Sequence, residues 1–165
     1  MKTKLDSLKA LGYSSDGVVL ASMDDSQKFQ PGDLVACAGL GYASHAEVIT
    51  VPQNLVAKIP EGVGLDDASY TTVGAIALQG VRQADPKLGD NICVIGLGLL
   101  GQITGQILRA NGCNVFGIDV SSEMVKLAND TKSAIFSPKS PRCDQSMIDL
   151  YNSSKLVNAI RLCLV

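Results

Sequence analysis

With 165 residues and a net charge of −2, the chain can bury one sizeable core or two small ones, and it lacks the basic excess of a nucleic-acid-binding surface. No apolar run approaches the roughly 20 residues of a membrane span. The opening Met1–Asp6 leads into no apolar h-region, so a cytoplasmic protein with no membrane partner is expected. The five cysteines are odd in number, scattered and without a C-x-x-C, which points to reduced, buried thiols rather than a zinc knuckle or a disulfide framework.

Lys4 to Ala10 fits a short helix or irregular chain equally well. Gly17 to Ala21 reads as a strand, Asp24 to Gln27 as a polar turn, and Gln30-Pro31-Gly32-Asp33 as a tight reversal. Leu34 to Ala38 is a second strand, broken by Gly39-Leu40-Gly41. Ala46 to Val51 alternates Ala46, Val48 and Thr50 against Glu47, Ile49 and Val51, which predicts a third strand. Asn54 to Ile59 continues the β pattern up to Pro60. Short strands separated by Gly and Pro turns predict a small β-barrel or part of one.

At Pro60 the pattern changes. Leu65 to Ala68 reads as a helix start with acids near the positive end of the dipole, and Thr72 to Ala84 as an Ala-, Val- and Leu-rich helix. A domain boundary is expected near Tyr70, giving a β portion over 1–70 and an α/β portion over 71–165. Cys93-Val94-Ile95 is a short buried strand, followed at once by Gly96-Leu97-Gly98-Leu99-Leu100-Gly101. Gln102 to Ala110 reads as a helix, Asn114 to Ile118 as a strand, and Asp119 closes it. Strand, glycine turn, helix, strand and acid within about thirty residues is the layout a dinucleotide requires. Ser121 to Asn129 is a helix capped by Ser121 or Ser122. Ser133 to Phe136 reads as a strand, 138–143 as loop, and Gln145 to Tyr151 and Ser154 to Leu162 as helical.

Each residue of the glycine motif has a physical task. Gly96 permits the sharp turn, Gly98 lets a pyrophosphate approach the backbone, and Gly101 lets the helix lie close to the strand. The backbone N–H groups at Leu99, Leu100 and Gly101 open the helix and face the phosphates, whose charge the dipole favours. Asp119 is placed to accept from the ribose hydroxyls and to repel a 2′-phosphate, so NAD(H) is expected over NADP(H). The bare glycine pattern also fits a ligand-free turn. Methyltransferases share a similar turn but usually carry an acid before the glycines, where this chain has Val94 and Ile95.

Several of these stretches resemble the medium-chain dehydrogenase/reductase superfamily, which includes zinc alcohol dehydrogenases and threonine dehydrogenase-like proteins. Gln30-Pro31-Gly32-Asp33-Leu34-Val35 is similar to its P-G-D-x-V strand, Ala43 to Pro52 to its A-x-H-A-E-x-x-x-V-P stretch, and Leu88-Gly89-Asp90 through Gly101 to the strand entering its glycine turn. Ala36-Cys37-Ala38-Gly39 and Leu78 to Ala84 resemble the dehydrogenase half of two-module bacterial oxidoreductases. The resemblance implies part of a GroES-like β-barrel followed by part of a Rossmann domain with a doubly wound parallel sheet. It also implies hydride transfer between a nicotinamide cofactor and an alcohol or carbonyl substrate.

The family's G-H-E-x-x-G-x-V carries a zinc-binding His; here Gly12-Tyr13-Ser14-Ser15-Asp16-Gly17-Val18-Val19 has Tyr13 and Ser14 in place of the His and Glu. Thr71 stands near another ligand position, so no zinc is expected. The resemblance further implies that the front of the barrel and the back of the nucleotide domain lie outside this chain. That would expose apolar surface and favour a homo-oligomer. His45 is read as a barrel-surface histidine, Cys37 as an unreactive buried thiol, and Asp66-Asp67 as a helix start, so no catalytic residue is assigned. Two functions stay open: an NAD(H)-binding portion of a zinc-independent dehydrogenase, inactive by itself or not, and a non-enzymatic dinucleotide-binding or oligomerising module.

Overall fold

A computed structural model describes residues 10–23, 27–131 and the strand 161–163. The chain divides into two compact units, Met1–Val73 and Gly74–Val165.

The first unit holds a three-stranded antiparallel sheet in the order β1-β2-β3, with β1 at Ser14–Val18, β2 at Leu34–Ala38 and β3 at Val56–Lys58. Phe29, Val35, Cys37 and Ala43 form its core, with Val19, Ile49, Val51 and Val56 packed against them. A short helix α1 follows at Leu65–Ala68. β2 lies where its sequence places it. β1, however, begins three residues before the expected strand, because its register is set by pairing Ser14 with Ala38 and Val18 with Leu34 rather than by the apolar run that ends at Ala21. Ala46 to Val51 is not a strand. Its alternation is real, since Ile49 and Val51 turn inward while Val48 is exposed, but no described strand pairs with it. Alternation orients side chains; a ladder also needs a neighbour. Gln53–Leu55 is a 3₁₀ turn, so the β pattern expected from Asn54 is delayed to Val56.

Helix α2, Thr71–Ala84, spans the division between the units. The second unit then runs β4 (Asn91–Ile95), α3 (Leu99–Ala110), β5 (Asn114–Ile118), α4 (Ser122–Asp130) and β6 (Arg161–Cys163). Its strands are parallel and ordered β5-β4-β6. β5 follows β4 through α3 on one side, and β6 is added on the other. The carboxyl end of β4 therefore stands where the order reverses, the place at which open parallel sheets bind ligands. The strand 161–163 corrects the helical reading of Ser154 to Leu162 at Arg161 and Leu162. The readings for Ser133 to Phe136, 138–143, Gln145 to Tyr151 and most of Lys4 to Ala10 fall outside the described residues.

Burial alternates along β4 and β5. Ile92, Val94 and Val115 are buried, and with Val81, Leu97, Leu108, Cys113 and Ala128 they form the core of this unit. Helix α3 turns Gly101, Thr104, Gly105 and Leu108 inward, at the three- and four-residue spacing of one helical face. Three of the four are small, and this is what lets the helix sit close to the strands. At Gly101 the approach is extreme: a Cβ there would fall 1.9 Å from the Gly96 carbonyl oxygen.

Two outcomes are expected. Gly101→Ala forces backbone apart from backbone and should destabilise the protein by about 1–3 kcal/mol or more, measured as a lowered urea midpoint. In the first unit, the Lys58 ammonium (2.7 Å) and the Gln30 N–H (2.7 Å) both serve Asp33 and hold its carboxyl below its ordinary value. A depressed carboxylate stabilises the fold at neutral pH, and that contribution is lost as pH falls through the folded-state value. The carbon-13 titration of Asp33 should have its midpoint below that of a free aspartate, and Lys58→Met should move it back up.

Candidate dinucleotide-binding site

The sequence singles out Gly96, Gly98, Leu99, Leu100, Gly101 and Asp119, and the structure brings them together at the carboxyl ends of β4 and β5. Gly96 has φ +90°, a left-handed conformation that a side chain would disfavour, and this lets the chain turn off β4 within one residue. Its N–H donates to the Ile118 carbonyl at 2.8 Å, extending the β4–β5 ladder to the turn.

The three glycines differ in what the protein itself asks of them. Gly96 is needed for its φ and Gly101 for the approach of α3. Gly98 is needed for neither: its φ of −66° suits any residue, and a Cβ there would meet none of the described residues within 4 Å. The space it leaves open lies at the mouth of α3. Gly98 is the N-cap of that helix and offers no capping side chain. The first ladder bond runs from the Gln102 N–H to the Gly98 carbonyl at 2.9 Å, so the N–H groups of Leu99, Leu100 and Gly101 precede the helical ladder. Helix α4 is built differently. Its N-cap is Ser121, whose hydroxyl oxygen accepts from the Met124 N–H at 3.4 Å. One helix closes its own amino end; the other leaves it open.

Asp119 follows β5 and folds its carboxylate back over the turn. Oδ2 accepts from the Leu97 N–H at 2.6 Å and Oδ1 from the Ser121 N–H at 2.7 Å. A carboxylate has about four acceptor positions, so two remain for a further donor. Leu97 itself is buried. Its carbonyl accepts from Nε2 of Gln102 at 3.0 Å, and this Gln side chain is buried too. Neither Leu97 nor Gln102 is singled out by the sequence. In a G-x-G-x-x-G the first x is free to vary, and a glutamine in the first turns of a helix usually faces water.

The other expected groups are dispersed. His45 is exposed, with its ring against Gly12, where a Cβ would fall 2.4 Å from Cδ2. Burial, then the Asp16 carboxylate, push the Cys37 thiol up, away from the reactive form. Asp66 and Asp67 lie in the first turn of α1. Close in sequence to the positions where the resemblance would place zinc ligands, the hydroxyls of Ser14, Thr71 and Thr72 serve the main chain. Ser14 Oγ donates to the Ser69 carbonyl at 2.5 Å and accepts from the Thr72 N–H at 3.3 Å. Thr71 Oγ1 donates to the Ala68 carbonyl at 2.7 Å, and Thr72 Oγ1 to the Cys37 carbonyl at 3.3 Å. Among the described residues no three His, Cys, Asp or Glu side chains are grouped to hold a metal ion, and no helix is long and apolar enough to cross a membrane.

Comparison with known proteins adds to this geometry. Residues 90–157 match the NAD binding domain of the UDP-glucose/GDP-mannose dehydrogenase family. The chain is 32% identical over 111 residues to a D-guloside 3-dehydrogenase of Shigella flexneri, covering 66% of this chain and 31% of that protein. It is 32% identical over 94 residues to an alcohol dehydrogenase of Geobacillus stearothermophilus, covering 54% of this chain and 28% of that one. The structure of galactitol-1-phosphate dehydrogenase from Escherichia coli superposes with a TM-score of 0.77 at 22% identity, over 92% of this chain and 51% of that enzyme. The chain thus spans about a third of the length of the curated relatives it matches. An antiparallel β unit followed by a parallel α/β unit with a glycine-rich turn, matched in that order to dehydrogenases, agrees with the resemblance to the medium-chain dehydrogenase/reductase superfamily.

Proposed function

We propose that the second unit binds NAD(H), with the pyrophosphate over Gly98 and the N–H groups of Leu99, Leu100 and Gly101, and the adenosine ribose beside Asp119. The observation that carries this reading is the glycine at 98, whose smallness serves no packing against the described residues. Free N–H groups at a helix amino end attract anions through hydrogen bonding and the dipole together. The remaining acceptor positions of Asp119 suit ribose hydroxyls, and its negative charge opposes a 2′-phosphate. That favours NAD(H) over NADP(H).

When bound, the nicotinamide cofactor would supply the hydride. In the whole protein of which relatives give the pattern, the reaction is hydride exchange between that cofactor and a small alcohol or carbonyl compound. This chain's part in it is to hold and orient the adenosine and pyrophosphate. On this reading the β portion that precedes the expected boundary near Tyr70 corresponds to the family's catalytic domain. Among the described residues no set of donors fits a zinc ion. Tyr13 and Ser14 stand for the family's His and Glu, and the Ser14, Thr71 and Thr72 hydroxyls already bond to main-chain groups, whereas a catalytic zinc needs about three Cys, His or carboxylate ligands.

The three glycines give a discriminating test. Gly98→Ala should leave the urea midpoint unchanged or slightly raised, since alanine fits the backbone there, and should weaken NADH about tenfold by fluorescence titration. Unchanged NADH affinity in a folded Gly98→Ala protein would refute the site. With the natural sequence, NADH should bind at least about tenfold tighter than NADPH, a difference of about 1.4 kcal/mol. For the metal, neither zinc nor a chelator should move the thermal midpoint. A concentration-dependent rise with zinc would show a site that binds the folded state.

A further inference from the structure

The carboxamide of Gln102 joins three pieces of the second unit. Nε2 donates to the Leu97 carbonyl at 3.0 Å and lies 3.4 Å from the Met124 carbonyl in α4. Oε1 accepts from the hydroxyl of Thr131, the residue that closes α4, at 3.1 Å. Gln102 is buried, beside a core made mainly of aliphatic residues. A buried amide is tolerated only when its hydrogen bonds are made, and they then fix its orientation.

The bond to Leu97 has a consequence at the next atom along the chain. Across a planar trans peptide the C=O and N–H point in opposite directions, and there is no cis peptide among the described residues. Holding the Leu97 carbonyl inward therefore turns the Gly98 N–H outward, toward the open space beside Gly98. The preceding peptide is held as well, because the Leu97 N–H donates to Asp119. The peptides on both sides of Leu97 are thus fixed from within the protein, one by a carboxylate and one by an amide.

We propose that Gln102 is a positioning residue of the dinucleotide site: it touches no ligand, and it aims the Gly98 N–H at the pyrophosphate by holding the peptide on the other side. This rests on the dinucleotide reading above. It adds a fourth backbone donor to the three at the start of α3, and it ties the turn to α4.

Gln102→Met keeps the length and burial of the side chain and removes only its polar end. NADH and adenosine are titrated against the natural chain and this variant. Adenosine reaches the ribose end of the site and has no phosphate. The expected result is about tenfold weaker NADH with adenosine affinity unchanged. Unchanged NADH affinity overturns the proposal, and so does an equal loss for both ligands, which would mark a general loosening of the fold. Should Gln102→Met not fold, exchange of the Gln102 side-chain amide protons in the natural chain decides. They should exchange slowly and be slowed further by NADH; rates like those of an exposed glutamine, or unmoved by NADH, overturn it. A natural chain that ignores NADH at millimolar concentration overturns the dinucleotide reading and this inference together. A natural chain that binds it, with a folded Gln102→Met that binds it equally well, overturns this inference alone.

Discussion

Leu97 is held at every point where a residue can be held. Its N–H donates to the Asp119 carboxylate, its carbonyl accepts from the Gln102 amide, and its side chain is buried in the core of the second unit. The neighbouring glycine turn could otherwise take many conformations, since glycine restricts the backbone least of all residues. Flexible residues are required at Gly96 and Gly101 for steric reasons, and the fixed residue between them removes the freedom they would bring. A preorganised set of donors does not have to be ordered when an anion arrives, so less of the binding energy is lost to ordering.

The same arrangement explains the contrast between α3 and α4. Both begin after a strand of the same sheet. Helix α4 satisfies its amino end with the Ser121 hydroxyl, and helix α3 begins at a glycine with no side chain to do so. An uncapped, positively polarised helix end costs stability unless water or a ligand meets it. Asp119 brings a negative charge to the same turn, and its described bonds come from the Leu97 and Ser121 N–H groups rather than from those of Leu99 to Gly101. A brace for the turn and a partner for a ribose are compatible roles for one carboxylate, given its acceptor capacity.

Local chemistry was readable from the sequence; partnerships over long range were less so. Strands Leu34–Ala38 and Asn114–Ile118 stand where their apolar runs end at glycine or acid; Thr71–Ala84 differs from its sequence reading by one residue at its start and Ser122–Asp130 by one residue at each end. Gly96 and Gly101 stand out in the sequence because a left-handed turn and a close helix–strand approach are requirements that other residue types meet poorly. Ala46 to Val51 misled because alternation describes two faces and says nothing of a neighbouring strand. Arg161–Cys163 was obscured because a short apolar run has no clear period, and its place beside β4 is set by the topology of the whole sheet. Gln102 was invisible for a related reason. Its importance comes from Met124 and Thr131, 22 and 29 residues further along, and only the packing of α4 beside α3 brings them to it.

The central claim is that the turn is fixed at Leu97 and open just after it. Backbone amide spectra recorded with and without NADH address this most directly. The Leu97 N–H should be protected from exchange before any ligand is added, and the largest ligand-induced shifts should fall on the N–H groups of Gly98, Leu99, Leu100 and Gly101. A rapidly exchanging Leu97 N–H, or shifts that leave those four residues untouched, would contradict it.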